Sequence, residues 1–492
     1  MIVTLAGYNV ESDLLKNPEA AAPEALTPET LSAAYARISR SAKDITALRL
    51  EARKDVEKTR KSNQTIVFKY GHHSVAEHAV FNFDIIDVSR LALEEIEQFR
   101  LVSYTEKSQR YVKLAGDYML PEEIKDPQSQ QLFRDTVQTQ NEFYTGAYHV
   151  LKEYLYKKYT HMTEKKSDQG ILKGWAKEDA RYILSLATQG QVGVTINARS
   201  LEHLFRRFHL SRRAEVREIG KRMYEQVFKV APSLILFAQP SRFAANLKHS
   251  FKDNFTGAGK TSSRLTCSDA PRILRYTEKA DDIILASFLS IFNSIPFKQA
   301  LETIENMDAT GKERVFKDLF KHIEFFDPTP REFEMVDITF EAVVSASNFA
   351  QLKRHRMATL LPGEYNIEFG NVIPENIKMS GLEKEFLQII QGTNQAYLQL
   401  KEKYGEAADY ILTNSHCRQV VMKMNLRELY HFIRLRADVN AQWDIRQLAR
   451  HLLRQIKPLM PLATMLLCGK SDFIKEFENA KNKSRNKTGR YY

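Results

Sequence analysis

The chain has 492 residues, 43% hydrophobic and 27% charged, an ordinary globular composition with room for two or three domains. No apolar run reaches the roughly eighteen residues of a membrane helix and no charged-then-apolar leader opens the sequence, so neither a span nor a signal peptide is expected. Cys267, Cys417 and Cys468 are far apart and odd in number. This argues against a disulfide framework and fits a reducing, cytoplasmic setting; the spacing suits neither a zinc site nor a redox pair. The net charge of +11 suits a nucleic-acid binder or an enzyme that gathers phosphorylated ligands. Part of it lies in Lys481–Arg490, which has no acidic residue, within the end of residues 476–492, read as a disordered basic tail.

In chain order, residues 2–10 read as a strand, and from Thr27 a helix is expected to about Lys61 with Leu31, Tyr35, Ile38, Ile45 and Leu48 on its apolar side. After the Gly-His segment Tyr70–His78, Phe81–Ile85 alternates like a half-buried strand. His72, His73 and His78 with Glu77 match no metal-ligand spacing, so no metal is expected. A helix from about Ser89 leads into Gln98–Tyr111, read as a loop. Its hydroxyls, glutamate and two arginines could hold a phosphate and a sugar, or simply face solvent. A long helical region follows from about Phe133, then a lysine-rich surface insertion at 158–176 and helices over 177–209 and 212–230. Residues 246–270 form a linker. The Gly-Ala-Gly-Lys-Thr inside it is rejected as a phosphate loop, because Asn254 stands at the first glycine and no apolar strand precedes it.

The two halves repeat one another in the same order. The strand Val336–Val343 repeats 81–85, a helix Ser345–Arg356 repeats Ser89–Arg100, and Met424–Leu429 repeats Ile196–Leu201. Asp444–Ala449 likewise repeats Glu215–Gly220. The chain is thus a duplicated α+β domain, with copies over 1–245 and 271–475. Glu215, Arg217, Asp444 and Arg446 could be structural salt-bridge residues.

These residues resemble the flavin-dependent thymidylate synthases, the ThyX family, twice in tandem. The family signature is Arg-His-Arg followed by Ser-x-x-Glu-x-Ser-x-Arg-Tyr. The first copy keeps the tail (Ser103, Glu106, Ser108, Arg110, Tyr111) but has Gln98-Phe99-Arg100 at the head; the second keeps Arg354-His355-Arg356 and lacks the tail. The family's glutamine before the first arginine is Gln351 against Glu95, and Gln351 and Arg354 are expected on one helix face. Its late arginine is Arg436 against Arg207 or Phe208, depending on a one-residue gap. Its earlier arginine is Arg181 against Asp409, and its Gly-His histidine is His72 against Thr329.

The resemblance implies a small antiparallel sheet packed with long helices, and active sites shared between subunits, one giving the Arg-His-Arg helix and its neighbour the Glu-x-Ser-x-Arg loop. Since the losses are complementary, a homodimer mimicking the family tetramer would hold composite sites. The implied activity is reductive methylation of dUMP to dTMP, with FAD as cofactor, NADPH as reductant and methylenetetrahydrofolate as carbon donor. Gln351, Arg354, Glu106, Ser108, Arg110, Arg181 and Arg436 would bind dUMP. Arg354, His355, Arg356, Asn425 and His431, or Asn197, Arg199 and His203, with His72, would contact FAD. Ser108, Arg436 and His72 would stand closest to the chemistry, Ser108 as a hydrogen-bonding group rather than a nucleophile. The alternative is a degenerate relative that binds nucleotide or nucleic acid without turnover.

Overall fold

The computed structural model describes residues 1–16, 23–110, 112, 114–247 and 265–482. The chain packs as two compact units, Met1–Ser262 with Pro374–Thr413, and Ser263–Ile373 with Asn414–Tyr492. The phosphate-loop-like segment, most of the expected linker, Tyr111 and residues 483–492 lie outside the described residues. Among the described residues no helix is long and apolar enough to cross a membrane.

The first unit is built on an antiparallel sheet in the order β1-β2-β4-β3, from Ile2–Tyr8, Val80–Ser89, Val102–Glu106 and Gln189–Asn197. Phe83 pairs with Leu5 on one side and Val194 on the other, and Val194 pairs onward with Tyr104. Alternate residues Phe81, Phe83 and Ile85, with Val192, Val194 and Ile196, point into one buried face, as the two-residue period of a strand requires. Helix α1 (Arg90–Ile96) follows β2, and the helices α2 (Pro127–Lys158) and α3 (Lys166–Ala180) follow β3. Helices α4 (Ala198–His209) and α5 (Ala214–Val230) cover the apolar face with Leu201, Leu204, Phe205, Phe208, Ile219 and Met223.

Several expectations are corrected here. The helix expected from Thr27 to Lys61 is three helices, Glu29–Arg37, Ile45–Lys54 and Val56–Gln64. Asp44 and Asp55 each accept a backbone N–H and start a new helix, and Ile38, placed on the apolar side, is exposed. The stretch Gln98–Tyr111 is not all loop: Val102–Glu106 is the edge strand β3, whose outward Ser103 and Thr105 make it look polar. The helix expected over 177–209 is interrupted by the central strand β4, whose Gly190 and Gly193 weaken the apolar signal. The surface insertion at 158–176 contains most of α3, with Leu172 and Ala176 buried. A helix Phe473–Asn482 runs into the stretch read as tail.

Pro374–Thr413 stands in the second copy by sequence yet packs in the first unit. Its helix α7 (Glu383–Tyr404) lies against α2, where the fully buried Gln140 donates to Thr393 Oγ1 at 2.9 Å and the Ile411 carbonyl at 3.0 Å. Phe143 meets Phe386 edge to face, and the Leu186 and Ala187 N–H groups donate to the carbonyls of Leu412 and Tyr410 at 2.7 and 2.8 Å.

The second unit repeats the sheet in the order β5-β6-β8-β7, from Arg272–Tyr276, Asp337–Ser345, Thr359–Tyr365 and Cys417–Asn425. Helices α6 (Ala346–Leu352), α8 (Leu426–Arg436) and α9 (Trp443–Ile456) stand where α1, α4 and α5 stand in the first. The copies also share their locks. Ser89 and Ser345 cap α1 and α6 and donate to the carboxylates of Glu215 and Asp444 at 2.6 and 2.5 Å. Arg217 and Arg446 donate to the carbonyls of Ser211 and Val439. These three paired positions of the repeat therefore hold helix entrances and loops in both copies. The α+β tandem duplication is borne out.

Candidate functional site

In the second unit α6 ends at Leu352, so Arg354-His355-Arg356 lies in the turn beyond it, not on the helix as expected. The expected shared face of Gln351 and Arg354 is thereby lost: Gln351 is buried, whereas Arg354 is exposed. The turn brings His355 under α8. Arg436 Nε donates to His355 Nε2 at 2.9 Å, while its Nη1 and Nη2 donate to Gln351 Oε1 and the Gln351 carbonyl, both at 3.2 Å. His355 Nδ1 faces Glu428 Oε1 at 3.2 Å, and its ring lies 4.9 Å from that of Phe432. Burial pushes the His355 imidazole well below its usual pKa, and the neighbouring Arg436 and His431 push the same way. Three expected residues, Gln351, His355 and Arg436, are thus joined. Glu428 was missed, because a carboxylate in the first turn of a helix reads as a dipole partner.

Beside this chain lies a cleft of about 380 Å³ lined by Phe326, Met357, Asn425, Glu428, His431 and Arg434 among others. Asn425 also caps α8, accepting the Glu428 N–H at 2.8 Å. Arg356 is half-buried in the turn. Cys417 is fully buried, and its Sγ donates to the Ser415 carbonyl at 3.4 Å.

In the first unit the same positions are differently filled. Asn197 caps α4 as Asn425 caps α8, and Phe208 stands as far beyond its cap as Arg436 does, which settles the one-residue gap in favour of Phe208. Phe208 meets Phe99, the counterpart of His355, at 6.1 Å between ring centroids. Gly220 packs close behind it: a Cβ there would lie 3.0 Å from Phe208 Cβ, and the phenylalanine would have to shift by a few tenths of an ångström. Glu95, at the place of Gln351, pairs with Arg213 at 2.5 Å, and Arg213 also holds Asp409 at 3.1 Å. Burial disfavours the Arg213 charge, but Glu95 and Asp409 more than offset it and hold the guanidinium above its usual pKa. Both acidic replacements named from the sequence, Glu95 and Asp409, therefore meet on one arginine.

The first unit keeps the other set. Glu106 ends β3, Ser108 Oγ accepts the Arg110 N–H at 3.2 Å, and Arg110 Nε donates to Glu178 at 3.0 Å. Arg181 is buried just after α3. Its pKa is lowered, first by burial and, against the pull of Glu178, by the nearby charges of Arg110 and Arg90. Arg90 and Glu178 were not singled out from the sequence. Among the expected flavin contacts, Arg199 pairs with Glu77, as Arg427 pairs with Glu334 in the second unit, and His203 is exposed. His72 lines a separate pocket of about 280 Å³ with Tyr35, Arg40 and His78.

The family model described as thymidylate synthase complementing protein matches residues 24–233 and 272–462. The chain is 25% identical to a UPF0159 protein of Thermoplasma acidophilum over 80% of this chain and 86% of that one. It is 33% identical to a flavin-dependent thymidylate synthase of Clostridium tetani over 36% of this chain and 69% of that one. With a flavin-dependent thymidylate synthase of Pyrococcus abyssi the identity is 32%, over 33% of this chain and 60% of that one. The first family match spans β2 to β4 and the second spans β5 to β8, and the chain belongs to the thymidylate synthase complementing protein family.

Proposed function

We propose that the protein is an FAD-dependent thymidylate synthase that methylates dUMP reductively to dTMP, using methylenetetrahydrofolate and NADPH. The observation that carries this reading is the contrast at the end of α8 and α4. The second copy joins Gln351, His355 and Arg436, while the first has Phe99 and Phe208 at the two latter positions. The basic residues Arg110 and Arg181 survive in the copy that lost the helix set, and Asp409 replaces the arginine in the other.

In this reading the two half-sets serve one nucleotide. Arg110, Arg181 and the exposed Arg354 neutralise its phosphate, with Ser108 and Glu106 binding the same ligand. Arg436 and Gln351 orient and polarise the uracil ring as pre-set donors. The donor set of the cleft at Asn425 and His431, cationic and apolar side chains together, fits a flavin dinucleotide, with His355 and Arg356 in the same unit, while His72 lines its own pocket in the first unit. FAD, when bound, supplies the hydride and one-carbon transfer; the protein supplies placement and charge. A homodimer that mimics the family's four-domain assembly and a cytoplasmic setting accompany the proposal.

The purified protein is expected to be yellow, and to oxidise NADPH only when dUMP and methylenetetrahydrofolate are both present. Protein that stays colourless when FAD is supplied contradicts the reading. Mixing an Arg354→Ala chain with a Ser108→Ala chain tests whether the half-sets join across chains: activity returns on mixing only in that case. The second reading, a non-catalytic binder of nucleotide or nucleic acid, draws on the net charge of +11 and predicts steeply salt-sensitive nucleic-acid binding without turnover.

A further inference from the structure

We propose that Glu428 is a positioning residue of this site: it fixes one tautomer of His355 and, through Arg436, turns the Gln351 amide so that it presents N–H donors to the ligand. The inference rests on the nucleotide-binding reading of Gln351 and goes beyond it by assigning the direction of each hydrogen bond in the chain.

The direction follows from which atoms can accept. A guanidinium has five N–H donors and no acceptor, and stays protonated in proteins. Arg436 Nε lies 2.9 Å from His355 Nε2, so Nε2 must accept and carries no proton. The imidazole is therefore neutral, with its proton on Nδ1, and Nδ1 lies 3.2 Å from Glu428 Oε1, where it donates to the carboxylate. At the other end Arg436 Nη1 donates to Gln351 Oε1, and Nη2 holds the Gln351 carbonyl. With its oxygen taken by a donor, the amide has its NH2 group turned away from the guanidinium. A ligand meeting Gln351 must then offer an acceptor, as a carbonyl or phosphate oxygen does.

Two further observations place Glu428 at the head of this chain. Its backbone is fixed by Asn425, which accepts its N–H, and its side chain is 11% exposed in the wall of the cleft. In the first copy the corresponding residue is Ser200, and there Phe99 and Phe208 stand at the places of His355 and Arg436. All three links are absent together where the chain has no task. A carboxylate that merely favoured the first turn of α8 through the helix dipole would have no reason to vanish with the other two.

The test uses the full chain with 15N-labelled histidine, the His355 signals being assigned by their loss in His355→Phe. The wild-type protein is expected to show a protonated Nδ1 and a bare Nε2 at neutral pH. Glu428→Gln keeps an oxygen acceptor, so the same signature and most of the dUMP affinity should return. Glu428→Ala leaves the Nδ1 proton without its acceptor, so the Nδ1 signal should shift as the ring loosens its hold on Arg436, and dUMP binding should weaken about tenfold, the worth of one charge-assisted hydrogen bond. Unchanged His355 signals in Glu428→Ala, in a protein whose thermal unfolding matches wild type, would overturn the proposal. So would an equal loss in the Gln and Ala variants. If wild-type protein binds no dUMP, the functional reading fails, while the nitrogen shifts still decide whether Glu428 sets the tautomer.

Discussion

The two copies share a sheet order, helix caps and the serine–carboxylate locks behind them, and the end of α4 and of α8 is one place where they differ. In the second copy that place is polar and directional, running from Glu428 through His355 and Arg436 to Gln351. In the first it is apolar, Phe99 on Phe208, with Glu95 paired to Arg213, which also holds Asp409 from the second-copy segment that packs in the first unit. If the proposed function holds, the difference teaches that folding and ligand recognition are separable in this repeat. Whatever enters and holds the helices is the same in both copies; whatever would face a ligand is rebuilt as packing and internal ion pairs in one of them.

The strongest way to break this contrast is to make the second copy resemble the first. The double variant His355→Phe with Arg436→Phe should fold and lose dUMP binding by roughly two orders of magnitude, about 3 kcal/mol, within the range for removing a desolvated charge contact. Titration calorimetry would show it; near-normal affinity would mean that Arg436 does not meet the nucleotide. In the first copy, Arg213→Ala removes the partner of Glu95 and leaves Asp409, only 2% exposed, held by Lys401, and should cost about 3 kcal/mol in denaturant unfolding. Combining Arg213→Met with Glu95→Gln and Asp409→Asn should recover most of that loss, because no unpaired charge then stays buried. The shared locks sharpen the comparison from the other side. Ser89→Ala and Ser345→Ala should each cost about 1–2 kcal/mol, and by similar amounts; a large cost in only one copy would contradict the equivalence of the two frames.

The smallest expected effect is a pH dependence. His355 is neutral and its folded pKa is depressed, so below the ordinary histidine value of about 6.5 the unfolded chain binds the proton and the folded one does not. Its contribution is full above that pH and is lost progressively as pH falls toward the folded pKa. The melting temperature of wild type should therefore drop more between pH 8 and pH 5 than that of His355→Phe, which has no proton to gain there.

Much of this was legible in the sequence. The ordered repeat of 81–85, 89–100 and 196–201 in the second half announces the duplication, and the motif losses name the residues on which the two copies diverge. The central strand β4 was not legible, because two glycines dilute the alternation of Val192, Val194 and Ile196 and the flanking residues suit a helix. The edge strand β3 hid for a different reason, since an edge with one wet face carries hydroxyls and a carboxylate like a loop. At the site, sequence identified Gln351, His355 and Arg436 but not Glu428 or Arg213. Their importance lies in contacts made across long sequence distances, His355 with Glu428 and Arg213 with Asp409, and no local pattern records those. The helix end was misplaced for the same reason. Leu352 closes α6, and the turn that follows lets His355 reach α8, a choice made by tertiary contacts rather than by helix propensity.

The central claim is that one copy has kept the helix set and the other has lost it, leaving a single nucleotide site for each chain. Equilibrium dialysis of dUMP against the FAD-loaded protein tests this directly. The account predicts saturation at one dUMP per chain; saturation at two would show that the Phe99–Phe208 copy also binds nucleotide and would contradict it.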